Sequence, residues 1–185
     1  IPSSVTEIGE EAFSGCSSLK PITIPSSIAK IGKNAFSRIK SIETNGDMQK
    51  IHDSMFLGCF ALNQVKILSP VNQIENNAFS YCGHLTQITI PSTVTQIGDN
   101  AFSGCFSLAQ ITIPSSVTQI GDNAFSECES ITQITIPSSV TQIGKYTFFE
   151  CKSLEQITIP SSLKIIGEGA FSNCLLLTQI TIPSS

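Results

Sequence analysis

AFSGCFSLAQITIPSSVTQIG, residues 101–121, is the stretch on which the fold turns, because the chain repeats its phrase from end to end. Its phenylalanine recurs at 13, 36, 56, 79, 102, 125, 148 and 171, and every interval is 23 residues except one of 20. A fixed period of this length marks a solenoid, in which short supersecondary units stack and each buries its apolar side against its neighbours.

Within the unit, the positions that stay apolar are Phe102, Cys105, Leu108, Ile111, Ile113, Val117 and Ile120. Ile111 and Ile113 alternate with Gln110 and Thr112, the period of a strand with one solvated face. Pro114 lacks the N–H that a ladder needs, and Ser115 and Ser116 favour a turn, so the chain leaves the sheet there. Val117 to Ile120 then forms a short return segment. Gly121 is expected to allow a tight or positive-φ bend, and Asp122-Asn123-Ala124-Phe125 to form a short helical turn that drops the next phenylalanine into the core. Closing a coil every 23 residues makes successive ITI strands parallel neighbours about 4.8 Å apart, one sheet face of about eight coils and a body on the order of 40 Å long.

The run LTQITIPSTVTQIGDNAFSGC, residues 85–105, resembles the BspA-like class of leucine-rich repeats, found in surface proteins of bacteria and parasitic protists. Leu85, Ile88 and Ile90 match the L-x-x-L-x-L core of such repeats. Where many leucine-rich repeats next carry Asn or Cys, this chain has Thr93, Ser116, Ser139 and Ser162, so a side-chain ladder at the turn would use hydroxyls. The resemblance implies a leucine-rich-repeat solenoid acting as a non-enzymatic binding surface. It also implies an exported or surface-exposed protein whose partner is a host matrix or cell-surface protein.

Composition narrows the field further. No stretch approaches the ~18 consecutive apolar residues of a membrane span, so no membrane insertion is expected. The net charge of -4 and the absence of a basic stripe interleaved with aromatics argue against nucleic acid. The opening IPSSVTEIGEEAF has no secretion signal and reads as the second half of a repeat, and the closing ITIPSS stops in mid-phrase. Residues 1–185 are therefore expected to be one array cut from a longer chain, without capping units.

Cys16, Cys59, Cys82, Cys105, Cys128, Cys151 and Cys174 all stand three residues after a phenylalanine, and Ile39 is the eighth equivalent. Isoleucine there marks the slot as apolar, and buried cysteine behaves as a small hydrophobe. Disulfides between adjacent coils are the rival reading, with one thiol left over. Zinc is disfavoured because a single row of thiols does not converge tetrahedrally. His52 stands where most coils have glycine, and His84 precedes Leu85. Cys82 and His84 are close in sequence, but a nucleophile–base pair needs spatial geometry and an accessible thiol. No phosphate loop, zinc-protease or hydrolase motif is present. No enzyme activity and no cofactor are expected.

Charge is uneven along the chain. Residues 1–66 hold seven Lys and Arg against six acids, whereas 67–185 hold three against eight. The 20-residue coil near 37–56 is expected to lose its three residues within SIETNGDMQKI, 41–51, together with the IPSS turn. That coil is either drift in a tolerant array or a local contact site using Glu43, Asn45, Asp47 and His52.

The expected working surface is the outer face of the sheet, where Gln87-Thr89, Gln110-Thr112, Gln133-Thr135, Gln156-Thr158 and Gln179-Thr181 stack. Such an uncharged ladder of donors and acceptors suits a polar backbone or glycans; it equally suits solvent. Off that face, Phe60, Tyr81, Phe106, Tyr146, Phe149 and Leu175 are candidate interface anchors, with Glu127, Glu129 and Glu150 as a solubilising edge. The favoured reading is a protein-interaction or adhesion module. A self-associating scaffold is the second reading. An ice-binding face is the third, and the bulk of glutamine fits it poorly.

Overall fold

Each 23-residue coil turns a corner at its phenylalanine, lays down a front strand, turns at Pro-Ser-Ser and returns through a two-residue back strand. The structure, a computed structural model, describes residues 1–181; the closing Ile-Pro-Ser-Ser at 182–185 lies outside the described residues. In chain order the strands are β1 (Glu7–Ile8), β2 (Ile22–Ile24), β3 (Lys30–Ile31), β4 (Ser41–Thr44), β5 (Lys50–Ile51), β6 (Gln64–Ile67), β7 (Gln73–Ile74) and β8 (Gln87–Thr89). They continue as β9 (Gln96–Ile97), β10 (Gln110–Thr112), β11 (Gln119–Ile120), β12 (Gln133–Thr135), β13 (Gln142–Ile143), β14 (Gln156–Thr158), β15 (Ile165–Ile166) and β16 (Gln179–Thr181). Even-numbered strands form the front and odd-numbered strands the back of a parallel β-solenoid of about eight coils.

Four ladders run along the stack. The phenylalanine rings pile face to face, with centroids 5.3 Å apart for Phe79–Phe102 and 5.4 Å for Phe102–Phe125, and Phe36 through Phe148 are fully buried. Beside them the thiols of Cys82, Cys105, Cys128 and Cys151 each donate to the phenylalanine carbonyl of the preceding coil at 3.2 Å. All seven cysteines are free. Burial pushes the Cys105 thiol up to about 12 and holds Cys82 and Cys128 well above the ordinary thiol value, so this row packs and donates in its protonated form. At the Pro-Ser-Ser turn, the hydroxyls of Ser27, Thr93 and Ser116 donate to Val5, Val71 and Val94 carbonyls at 2.7, 2.6 and 2.6 Å, and Ser139 donates to Val117. The hydroxyl ladder anticipated from the sequence is thus present.

The fourth ladder corrects the expectation for Gly121. Its φ is not left-handed; the glycine is there because a Cβ would meet the backbone of the preceding coil, at 2.6 Å from Asp99 N and 2.7 Å from Gly98 C. Asp99 Oδ1 in turn accepts the Asp122 N–H at 2.8 Å, and Asn76 Oδ1 accepts that of Asp99 at 2.8 Å. Two residues further on, Asn123 takes the left-handed conformation, with φ 54°, as asparagine tolerates.

That positive φ also removes the expected helical turn, and no helix forms around the phenylalanines among the described residues. The N–H groups alternate instead. Asn100, Phe102 and Gly104 donate to Asp122, Ala124 and Ser126 of the next coil at 2.8–2.9 Å, while Ser103 and Cys105 donate three residues back, to Asn100 and Phe102. A helix would send every N–H along its own axis to the residue four back. Here half of them hold coil to coil.

The irregular coil is also relocated. Ile22 pairs with Ile42 and Ser41 with Gln64, so IETNGDMQKI keeps the length of the ordinary strand–turn–strand passage. Ser41 follows Phe36 by five residues, whereas its partner Gln64 follows Phe56 by eight. The loss therefore lies between Phe36 and Ser41. Lys40 carbonyl accepts the Asn63 N–H at 3.0 Å, which sets Ile39 beside Leu62 rather than in a cysteine slot. Ile39 accordingly says nothing about that slot; its apolar character rests on the burial of the cysteines themselves.

Candidate functional site

The front strands bring the ten Gln and Thr residues into columns. Gln110 pairs with Gln87 and Thr112 with Thr89 in β10–β8; Gln133, Gln156 and Gln179, and likewise Thr135, Thr158 and Thr181, are in register across β12–β14–β16. Alternation sends Ile88, Ile134 and Ile157 into the core and the polar residues outward. All ten are exposed except half-buried Thr158.

The ladder is divided. The front sheet orders as β2-β4-β6, β10-β8 and β12-β14-β16, and the back as β1-β3, β11-β9-β7-β5 and β13-β15. At one seam, between the coils of Phe102 and Phe125, front and back ladders are interrupted together. The coils remain joined there by the Phe102 N–H to Ala124 bond, the Cys128 thiol and the stacked rings. A groove of about 530 Å³ opens on the front of the seam, walled by Gln110, Thr112, Gln133 and Thr135 with Ile111 half-exposed in its floor. A strand's N–H and C=O groups freed from their ladder are available to a partner's backbone.

Toward the N-terminal coils the same columns change chemistry. Thr23 is followed by Glu43 and Lys66, which pair at 3.0 Å. The uncharged surface therefore begins at β8. A second polar row passed unnoticed in the sequence: Gln73, Gln96, Gln119 and Gln142 line the back, and Gln73 donates to Gln96. The repeated Thr-Gln-Ile at 95–97, 118–120 and 141–143 was its signal.

The remaining candidates separate. Phe60, Tyr81 and Phe106 are 53, 43 and 38% exposed; Tyr81 lies over Gly104 of the next coil, and Phe106 contacts Gly83 of the preceding one. Phe149 and Tyr146 are half-buried in an edge-on pair at 5.9 Å, and Leu175 is exposed. Glu129 and Glu150 both pair with Lys152, at 2.7 and 3.5 Å. The Cys82 thiol is buried and bonded to Phe56 carbonyl, while His84 is exposed, so the two do not form a dyad. His52 lies 3.7 Å from Glu75, which accepts from Lys50 and the Asp53 N–H, both at 3.0 Å.

Residues 1–105 and 72–185 match the family described as BspA type Leucine rich repeat region, in six copies. Among solved structures, the chain is similar to the leucine-rich repeat protein of T. pallidum, with 28% identity and a TM-score of 0.66 over 94% of this chain and 72% of that one. It is also similar to a leucine-rich repeat protein from Bacteroides ovatus, with 29% identity and a TM-score of 0.61 over 97% of this chain and 59% of that one. The chain thus spans less than two thirds of the second protein. No curated protein matches it in sequence.

Proposed function

Because the chain belongs to the BspA-type leucine-rich repeat family, we propose that it is a non-enzymatic adhesion module of a surface-exposed or secreted protein, binding a host matrix or cell-surface protein through the front of the solenoid. The observation that carries this reading is the in-register, exposed and uncharged Gln/Thr ladder from β8 to β16. Glutamine donates and accepts, and threonine adds a methyl, so each coil offers a partner one similar weak contact. Repetition converts such contacts into avidity when the partner is itself extended or repeated. The seam between β10 and β12 adds a place where a partner's backbone can enter the pattern.

The test is to immobilise the protein and measure binding to a panel of matrix and cell-surface proteins, beside a Thr112→Lys, Thr135→Lys, Thr158→Lys variant whose fold is verified by circular dichroism. Binding that falls at least tenfold in the variant is expected. Equal binding by both proteins would move the site off the ladder, and binding by neither would remove adhesion to this class of partner.

A further inference from the structure

At the seam between the coils of Phe102 and Phe125, the bonds that cross from coil to coil differ in kind from those elsewhere. One coil earlier, Ser107 and Ala109 donate their N–H groups to Gly83 and Thr86 on the front, and Thr118 and Gly121 donate theirs to Thr95 and Ile97 on the back, at 2.9–3.1 Å. Ser130, Thr132, Thr141 and Gly144 hold the same places one coil on, and among the described residues none of their N–H groups makes the equivalent bond. Hydroxyls cross instead: Ser130 Oγ donates to the Phe106 carbonyl at 2.7 Å and Thr147 Oγ1 to the Gly121 carbonyl at 3.3 Å. The backbones also stand further apart. A Cβ on Gly144 would lie 3.0 Å from both Asp122 N and Gly121 C, whereas one on Gly121 would lie 2.6 and 2.7 Å from Asp99 N and Gly98 C. Elsewhere the array loses one ladder at a time, the front alone between β6 and β8 and the back alone between β3 and β5.

Two departures from the repeat coincide with the seam. The sixth residue after the phenylalanine is Leu62, Leu85, Leu108 and Leu154 in other coils but Ile131 here, and all are fully buried. Its branch at Cβ sets a methyl close to the backbone and restricts χ1. Buried Thr147 stands where Ala78, Ala101 and Ala124 stand, and its hydroxyl takes the Gly121 carbonyl. What persists across the seam lies on two opposite sides of the coil. At the corner, the Asn100, Phe102 and Gly104 N–H groups donate to Asp122, Ala124 and Ser126, and the Phe102 and Phe125 rings stack at 5.4 Å. At the Pro-Ser-Ser turn, the Ser139 hydroxyl donates to the Val117 carbonyl. A line from corner to turn therefore passes between the front and back ladders, and rotation about it breaks no backbone bond on either face.

We infer that the solenoid rocks at this seam: the coils up to β11 and those from Phe125 onward turn as two blocks about the line from corner to turn, the front opening as the back closes. Hinges form where a packed body has few cross-bonds to break. Gln110 and Thr112 thereby move against Gln133 and Thr135, and the front ladder follows a curved partner as well as a straight one. The inference deepens the reading of the front as the binding face and rests on it for that consequence, whereas the motion itself belongs to the free protein.

The experiment is pulsed electron–electron double resonance on the free protein, with nitroxides attached through p-acetylphenylalanine so that the free native thiols stay unlabelled. One pair of labels, at Asn72 and Lys164, straddles the seam; the other, at Ala29 and Thr118, lies within the N-terminal block. All four positions are exposed and immediately precede a back strand, and each pair spans four coils, about 19 Å at ~4.8 Å per coil. Both pairs are measured in the otherwise unaltered protein and in the double variant Ile131→Leu, Thr147→Ala, which restores the residues of the regular coils; circular dichroism and a thermal melt accompany each protein. Expected is a distance distribution at least twofold wider for the straddling pair than for the internal pair, falling to the internal pair's width in the double variant. Equal widths in the unaltered protein overturn the inference. So does a straddling width that the folded double variant keeps, because the motion then lies at another junction. If the double variant does not fold, the two widths in the unaltered protein decide alone. Failure of the matrix-protein panel leaves this measurement untouched, and equal widths leave the panel untouched, so the two readings fall separately.

Discussion

The coils from Phe79 to Phe148 and the coils around Phe36 and Phe56 solve the same packing problem differently. In the first group all four ladders run unbroken: rings stack on rings, each thiol bonds the coil before, hydroxyls close the turn, and glycine allows the backbones to touch. In the second group each ladder is altered within a short distance. The ring stacks are Phe13–Phe36 and Phe56 onward; Asn45-Gly46-Asp47 replaces Pro-Ser-Ser, with Gly46 at φ 74°; and His52 and Glu75 stand at the glycine position. The strands nonetheless keep register through β2-β4-β6. Strand pairing and side-chain ladders are therefore separable, and a coil released from the ladders is free to vary its surface.

The sharpest way to break the comparison is to remove a ring from each region. Phe102 is fully buried between two stacked neighbours, and Phe102→Ala is expected to cost about 3–5 kcal/mol. Phe60→Ala should stay within about 0.5 kcal/mol, as exposed positions do. Urea unfolding of both variants decides it, and equal losses would mean that the irregular region is packed as tightly as the regular one. A smaller effect sharpens the point at the glycine position. Gly121→Ala forces the Asp99 and Gly98 backbone apart and is expected to cost about 1–3 kcal/mol, as overpacking does. His52→Ala, at the equivalent place in the irregular coil, should change stability by less than about 0.5 kcal/mol. A mild Gly121→Ala would show that the coils can separate without loss.

The regular region was legible because its determinants are periodic. The phenylalanine interval, the Ile-Thr-Ile alternation and the hydroxyl after proline each name their own structural role, and the strands, the core and the hydroxyl ladder lie where they indicate. The turn was harder to read. Asp-Asn-Ala-Phe has the composition of a helix start, and only the inter-coil bonds at Asn100, Phe102 and Gly104 show that half the N–H groups are committed sideways. The missing three residues were visible as a count but misplaced, because Asn45-Gly46-Asp47 looks like a disrupted turn while Phe-Ser-Arg-Ile looks like an ordinary one. Strand register settles it through Ile22, Ile42 and Val65.

The smallest expected effect tests whether charge has replaced close contact in the irregular region. Burial by itself would raise the Glu75 carboxyl, but the hydrogen bond from Lys50, the Asp53 N–H and the nearby Lys50 and His52 charges together hold it below the ordinary carboxylate value. A carboxyl depressed in the folded state contributes stability that is present above its unfolded value and is lost as the pH falls through its folded value. Glu75→Gln keeps an acceptor for Asp53 but removes the charge. At pH 7 the variant should be less stable by under about 1 kcal/mol, as befits a partly exposed pair, and the gap between the urea curves of the two proteins should narrow as the pH is lowered below the ordinary carboxylate range. A gap that stays unchanged as the pH is lowered would assign the effect to packing and not to the charge. In that case Glu75 would occupy the glycine position by shape, as the residues of the regular coils do, and not by charge.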